Sequence, residues 1–546
     1  MKRTLYTAAS TAFALLTACG GGSDAGRGTP VTPPPPVVQP PVLGQTYVTS
    51  GRAAAGDVFV HLFEWRWADI ARECEGWLGP RGFKGVQISP PSEHAVVRDA
   101  GNFFPWWQRY QTVSYKLDQS RSGTAAELRD MVTRCKAVGV DIYADVVINH
   151  MTAGSGTGSA GTVYTKYSYP SVPYTQLDFH PACSIDSYGV AQQVQNCELV
   201  GLSDLATESD GVRTRIAQYL IALNEIGIAG FRVDAAKHVP ANDLEAIMTR
   251  VNNAATAASR PKPYVFLEVI AGGGDAVTPQ EYYGVGYASG GSTDITDFTY
   301  GNRISDAFYA RNGFTLWGAL RAFETELLPS NKSVVFIDNH DTQRGSALYY
   351  ADSTYDLAAV MMLGHGQGYA SVMSGYGVDR SGQQSRDASP PSDGSGNTIG
   401  TYNPDGSSKC TATIGSVQQG RWICEHRRPA IANMVAFRKA AAGAPTSDCG
   451  RGDYKIDSDP NRVAFCRDGA GFVAISTSAT AATTVLPTRL PAGSYCNVAQ
   501  FGFTPAAGST AATCTGAPIV VGGDGSASIA LTRRSAVAIH TRAKLN

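Results

Sequence analysis

Short apolar runs recur along this chain and alternate with longer stretches of helical period. Gly85-Val-Gln-Ile-Ser89, Asp141-Ile-Tyr-Ala-Asp-Val-Val-Ile148, Gly230-Phe-Arg-Val-Asp234, Val265-Phe-Leu-Glu-Val269 and Val334-Val-Phe-Ile-Asp338 are rich in β-branched and aromatic residues. That is the pattern of parallel strands buried on both faces. Residues 211 to 226 and 241 to 257 instead repeat their apolar positions with helical spacing, which predicts helices laid against such a sheet. The alternation fits an α/β fold of the (β/α)8 barrel type, with catalytic groups expected at strand C-termini. Residues 149 to 204 are rich in glycine and tyrosine with little helical period and read as an inserted irregular domain. From about 446 the pattern turns to short β runs such as Gly471-Phe-Val-Ala-Ile475 and Ala536-Val-Ala-Ile-His540. The expected division is an export signal (1–18), a tether (19–45), a barrel (46–148 and 205–445), the insert (149–204) and a C-terminal antiparallel β-sandwich (446–546).

Three acidic segments punctuate the barrel pattern: Gly230-Phe-Arg-Val-Asp-Ala-Ala-Lys-His238, Phe266-Leu-Glu-Val-Ile270 and Phe336-Ile-Asp-Asn-His-Asp341. Each sets a carboxylate where a strand hands over to a loop, so Asp234, Glu268 and Asp341 are expected to share one pocket. Paired carboxylates suit glycosidic chemistry, in which one attacks the anomeric carbon and another protonates the departing oxygen. Arg232 and Asp234 lie two positions apart and share a strand face, so the guanidinium is expected to keep Asp234 ionised. Glu268 sits between Leu267 and Val269 with no cation beside it in sequence, and desolvation is expected to raise its pKa as a general acid requires. The plain alternative is a set of strand-end carboxylates in ordinary salt bridges.

With these residues in view, the chain resembles the α-amylases of glycoside hydrolase family 13, and in particular their animal-type branch. Asp145-Val-Val-Ile-Asn-His150 and Gly201-Leu-Ser-Asp-Leu205 match two further family segments in the expected order. The likeness extends through His61-Leu-Phe-Glu-Trp-Arg-Trp67, Gln87-Ile-Ser-Pro-Pro91, Pro105-Trp-Trp-Gln-Arg-Tyr110, Cys424-Glu-His426 and Leu490-Pro-Ala-Gly-Ser-Tyr-Cys496. It covers nearly everything from about residue 46 onward.

The resemblance implies retaining endo-hydrolysis of α-1,4-glucosidic bonds in starch, glycogen and maltooligosaccharides. Asp234 matches the nucleophile, Glu268 the general acid/base and Asp341 the transition-state stabiliser. Trp106, Trp107, Tyr110 and Gln111 match the substrate-stacking segment, where flat side chains offer area to the apolar face of a sugar. His150, Arg232 and His340 match residues that hold the sugar at the cleavage point, and Lys237 and His238 match the leaving-group side. A calcium ion is implied, with side-chain oxygens from Asn149 and Asp204 and backbone carbonyls from Gln195 and His238. Chloride is where the chain departs from the animal pattern. Arg232 and Asn339 match two anion ligands, but the second arginine aligns with Ser371, so little or no chloride activation is expected. The rival readings are a glycan-binding protein on a degenerate scaffold and a transglycosylase or specialised exo-acting relative using the same acids.

Composition limits the partners. Among 546 residues, Lys+Arg number 45 and Asp+Glu 46, for a formal net charge of -1, so nothing points to nucleic acid. The expected partner is polysaccharide, and the expected state a monomer. Lys2-Arg3 and the apolar stretch ending in Leu16-Thr-Ala-Cys19 read as an export signal. The last four residues resemble a bacterial lipobox, which implies a lipid on Cys19 and surface attachment through a Gly- and Pro-rich tether, or plain secretion if Cys19 is not lipidated. Ten of the 11 cysteines then remain, and an even number in an exported chain implies disulfides. The family suggests Cys74 with Cys135, Cys183 with Cys197, Cys410 with Cys424 and Cys496 with Cys514, leaving Cys449 for Cys466.

Overall fold

A computed structural model describes residues 43, 46–99, 102–411, 420–505 and 511–545; the expected signal, Cys19 and nearly all of the tether lie outside them. Eight parallel strands close into a barrel. They are β1 (Val58–Leu62), β2 (Gly85–Ile88), β3 (Asp141–Val146), β4 (Gly230–Val233), β5 (Tyr264–Leu267), β6 (Thr293–Thr296), β7 (Ser333–Val335) and β8 (Tyr369–Ser374). Each strand pairs with its neighbours in sequence, and β1 closes on β8 with Phe59 opposite Ser371. The strands end earlier than their apolar runs: β3 stops at Val146 and β7 at Val335. Beyond those points the chains splay into the loops that carry the acids.

Inward-facing rings fill the lower barrel. Phe59, Tyr143, Tyr264, Phe266 and Tyr369 form a buried cluster with Val334, and the Tyr143 and Tyr369 hydroxyls meet at 3.1 Å. Such layers make the barrel a packed core instead of a pore. Gly230 is required by this crowding, because a Cβ there would come within 2.3 Å of the Tyr264 carbonyl oxygen. Helices cover the outside, among them Asp210–Ile226 and Ala241–Ala257, within a residue of the ranges expected from periodicity.

The chain ahead of β1 closes the barrel floor. Val48 bridges to Ser292, Ser50 donates to Asp294 at 2.6 Å, and Arg52 reaches Asp141 at 3.1 Å and Asp57 at 3.4 Å. Lys332, wholly buried, stands 3.9 Å from Asp294 and 4.2 Å from the centroid of the Tyr47 ring.

The stretch between β3 and the Asp210 helix holds a two-stranded ribbon (Gly156–Thr157 with Val163–Tyr164), a short helix (Ala191–Asn196) and a cluster of tyrosines around Phe179. Two four-stranded antiparallel sheets follow the barrel. Phe472, Leu486, Tyr495, Ile529, Val537 and Ile539 fill the space between them, the arrangement of a sandwich. All five expected cysteine pairs are disulfides. No helix among the described residues is long and apolar enough to cross a membrane.

Candidate active site

Arg232 stands at the centre of the C-terminal mouth of the barrel. It projects inward from β4, and its Nη1 donates to both oxygens of Asp145, at 2.7 and 2.8 Å, and to Asp234 Oδ1 at 2.8 Å. Its Nη2 lies 2.7 Å from Glu268 Oε1, close enough for an ion pair but without hydrogen-bond alignment. Sequence reasoning gave Glu268 no cation, and this is corrected here. β4 and β5 run in register with Arg232 opposite Phe266, so the guanidinium crosses to the end of the next strand. Glu268 Oε2 also accepts from the Ala235 amide at 2.8 Å. Ala235 achieves this in a left-handed conformation (φ 49°), backbone strain of the kind that gathers at functional sites.

One cation serves several acids, and burial sets the balance. Desolvation raises Asp234 above its ordinary range, and Arg232, expected to keep it ionised, opposes that shift without cancelling it. Desolvation also raises Glu268, with Asp234 adding to the effect. Asp145 is pushed up to about 7, chiefly by burial. Asp341 lies at the rim with 43% of its side chain exposed. Enclosure by the walls of the cleft and then the negative field of Glu268 push it up to about 7. The site therefore holds protons near neutrality, as a general acid needs.

Rings and imidazoles line the approach. His340 stacks on Tyr110 at 4.9 Å and on Phe63 at 5.0 Å, and meets Trp106 edge-on at 5.5 Å. Its Nε2 is 3.3 Å from Asp341, and burial holds it neutral. His150 donates from Nε2 to the Tyr110 carbonyl at 3.1 Å and accepts at Nδ1 from Asn149; burial lowers it to about 4. The Tyr110 hydroxyl donates to Asp145 at 3.0 Å. Trp106 and Trp107 are half-buried beside this wall, and Gln111 accepts from the Ala153 amide at 3.2 Å. On the opposite side Lys237 pairs with Asp275 at 2.6 Å, and His238 donates to the Val194 carbonyl at 2.7 Å.

Comparison with known proteins decides the family. The alpha-amylase catalytic domain family matches residues 82–393. Alpha-amylase of Tribolium castaneum is 43% identical over 510 residues, covering 90% of this chain and 96% of that protein. The chain belongs to the α-amylase family. Pancreatic alpha-amylase 2a5 of Mus musculus is 40% identical over 91% of this chain and 96% of its own. Alpha-amylase of Thermomonospora curvata is 43% identical over 89% of this chain and 74% of its own. Among crystal structures, a mutant alpha-amylase I of Eisenia fetida in complex with maltohexaose is similar with a TM-score of 0.76 at 36% identity, covering 91% of this chain and 99% of that one.

Of the residues expected to hold calcium in an α-amylase, two lie together. Asn149 and Asp204 sit side by side, with His150 bridged to Asp204 and the Leu205 amide donating to the Asn149 carbonyl at 3.0 Å. Gln195 lies on the Ala191–Asn196 helix, which the His238 bond to Val194 ties to the loop after β4. Asp204 Oδ1 is buried without a hydrogen-bond partner, an oxygen that a hard cation would satisfy. Its other oxygen, Oδ2, accepts from His180 at 2.7 Å. No group of three His, Cys, Asp or Glu among the described residues is arranged to hold a metal, so such an ion has to draw on amide and carbonyl oxygens. Ser371 is buried on β8, on the same face as inward-pointing Tyr369. Asn339 Oδ1 accepts from the Asp341 and Thr342 amides at 3.1 and 2.8 Å, shaping the turn that carries Asp341.

Sequence reasoning assigned no role to Asp145, the residue Arg232 grips with two bonds. Its signal was present, because Asp145 lies inward on β3 two positions beyond Tyr143.

Proposed function

We propose that this protein is an endo-acting α-amylase that hydrolyses internal α-1,4-glucosidic bonds of starch with retention of configuration. The observation that carries the reading is the group of carboxylates gathered around Arg232 at the mouth of a closed barrel, beside an aromatic wall. Asp234 takes the aligned hydrogen bond of Arg232 and so gives up its proton more readily than Glu268, which suits the first to attack and the second to protonate. Glu268 donates its proton to the glycosidic oxygen as the C1–O bond breaks and Asp234 closes on C1 to form an ester. Glu268, now a carboxylate, takes a proton from water, whose oxygen attacks C1 and frees Asp234. Asp341 accepts hydrogen bonds from the distorted ring, and His150, Arg232 and His340 hold it in place. Trp106, Trp107, Tyr110 and Gln111 form the sugar-facing wall, with Lys237 and His238 on the leaving-group side.

The Asn149 and Asp204 side chains and the Gln195 and His238 carbonyls would hold calcium. When bound it supplies positive charge that ties the insert (149–204) to the barrel (46–148 and 205–445), with the β-sandwich (446–546) beyond. Ser371 in place of a second arginine leaves Arg232 as the one cation for chloride, and Arg232 is committed to carboxylates, so activity does not depend on chloride. Five disulfides suit an oxidising compartment and so support export; a lipid on Cys19 rests on the lipobox-like Leu16-Thr-Ala-Cys19.

The deciding assay compares wild type and Glu268→Gln on soluble starch with calcium present and chloride absent, following iodine colour and reducing ends. Rapid colour loss with few new ends, reduced roughly 100- to 10,000-fold in the variant, is expected. Glucose released ahead of colour loss rules out endo action. A wild type that binds starch without cutting it means a binding protein, and one that works only after chloride is added overturns the Ser371 argument.

A further inference from the structure

The loop after β7, which carries His340 and Asp341, is held by one guanidinium a turn further on. Arg344 is buried at 5% exposure. Its Nη1 donates to the His340 carbonyl, its Nε to the Arg386 carbonyl at 3.0 Å, and its Nη2 to the Tyr376 hydroxyl at 2.9 Å. Trp106 Nε1 donates to the same Arg386 carbonyl at 3.1 Å, and the Tyr376 hydroxyl donates to the Ala388 carbonyl at 2.8 Å. The guanidinium carbon lies 4.7 Å from the Trp106 ring centroid, 5.2 Å from Phe63 and 5.4 Å from Tyr376. One planar fork thus joins the turn after β1, the Trp106 helix, the Asp341 loop and the long loop after β8. All three of its hydrogen bonds go to neutral oxygens, so its charge remains available to the site. It pulls both His340 and Asp341 downward in pKa, a smaller influence on each than burial.

We propose that Arg344 is a positioning residue for glucan cleavage: it fixes the Asp341 loop against the Trp106 wall, so that a sugar ring meets the acid and the aromatic face in one register. The inference rests on the roles given above to Asp341 and Trp106. Lysine keeps the charge but cannot serve three acceptors in one plane, and methionine keeps the bulk and loses both.

The test measures kcat, KM and the pH profile of kcat on a chromogenic maltooligosaccharide for Arg344→Met, Arg344→Lys, Tyr376→Phe and Asp341→Asn, with thermal unfolding of each. Arg344→Met is expected to lose roughly 10- to 100-fold in kcat, with KM changing less. Its acid limb moves to higher pH, because Asp341 then keeps its proton longer. Arg344→Lys is expected to lose kcat with the acid limb unmoved, and Tyr376→Phe to lose about threefold. Wild-type kcat and pH limb in the Arg344 variants, or a change confined to the melting temperature, overturns the proposal. If Arg344→Met does not fold, wild-type kcat in both Arg344→Lys and Tyr376→Phe overturns it. An active Asp341→Asn instead overturns the role given to Asp341, which separates the two failures.

Discussion

The two ends of the barrel both bury charge, but they balance it differently. At the floor, Asp57, Asp141 and Asp294 face Arg52, Lys84, Lys332 and Lys439. At the mouth, Asp145, Asp234 and Glu268 all lean on Arg232, with Asp341 in the same field. At the floor burial raises Asp294 as well, but the Ser50 hydroxyl, Lys332 and the Tyr264 hydroxyl oppose it, and the group does nothing but hold. At the mouth burial again comes first, and carboxyls that share one guanidinium and repel one another keep protons into the neutral range, the condition for acid catalysis by a carboxyl group. The same residue types serve structure at one end and chemistry at the other.

The comparison breaks most sharply at Arg232. Arg232→Met is expected to cost at least about 100-fold in kcat/KM on starch and to move the acid limb of the pH profile upward, since Asp145, Asp234 and Glu268 lose the guanidinium they share. An acid limb at lower pH means the imbalance is not what sets these protons. Removing calcium with a chelator acts on the mouth and not the floor. Melting temperature and activity should both fall and return on adding calcium, by about 2.7 kcal/mol for an ion at a hundred times its dissociation constant. Asp204→Asn should abolish most of that increment, and an unchanged increment removes Asp204 from the site. At the floor, Lys332→Met leaves Asp294 without its lysine and is expected to destabilise the fold by about 1–3 kcal/mol, while kcat per folded molecule stays at the wild-type value.

The effect without consequence for the chemistry concerns Asp338, buried just ahead of Asp341 and pushed up to about 7 by burial, with Tyr355 donating to one oxygen. A carboxyl raised on folding binds its proton more tightly in the native state. Its contribution is favourable below the unfolded value and is lost as pH rises through 7. The stability of Asp338→Asn relative to wild type should therefore improve from pH 4 to pH 7 and level off above, as read from denaturant melts at several pH values.

Much of this was legible in the sequence, for a physical reason. Strands buried on both faces must be apolar throughout, so a charged residue at their ends stands out, and Asp234, Glu268 and Asp341 were found that way. The helices at 210–226 and 241–257 declared themselves by period. The pattern did not single out β6, whose Thr293-Asp-Ile-Thr296 carries a buried aspartate that accepts from Ser50 and Tyr264 at the floor. It also missed the hold of Arg232 on Glu268 and Asp145, because partners across a ladder are set by register, and register does not show in one strand's composition. Asp204 and Asn149 were reached through resemblance alone, since oxygen ligands for a hard cation have no spacing of their own.

The segment ahead of β1 bears on how the molecule is made. Ser50 bonds to Asp294, Tyr47 to Asn331 and Arg52 to Asp141, so residues that leave the ribosome early wait for partners synthesised far later. The floor seats only after more than half of the polypeptide exists, and until then the rings of the unfinished barrel stand open at that end. The base of the barrel is thus completed by contacts that span about half of the chain, the non-local kind that forms slowly.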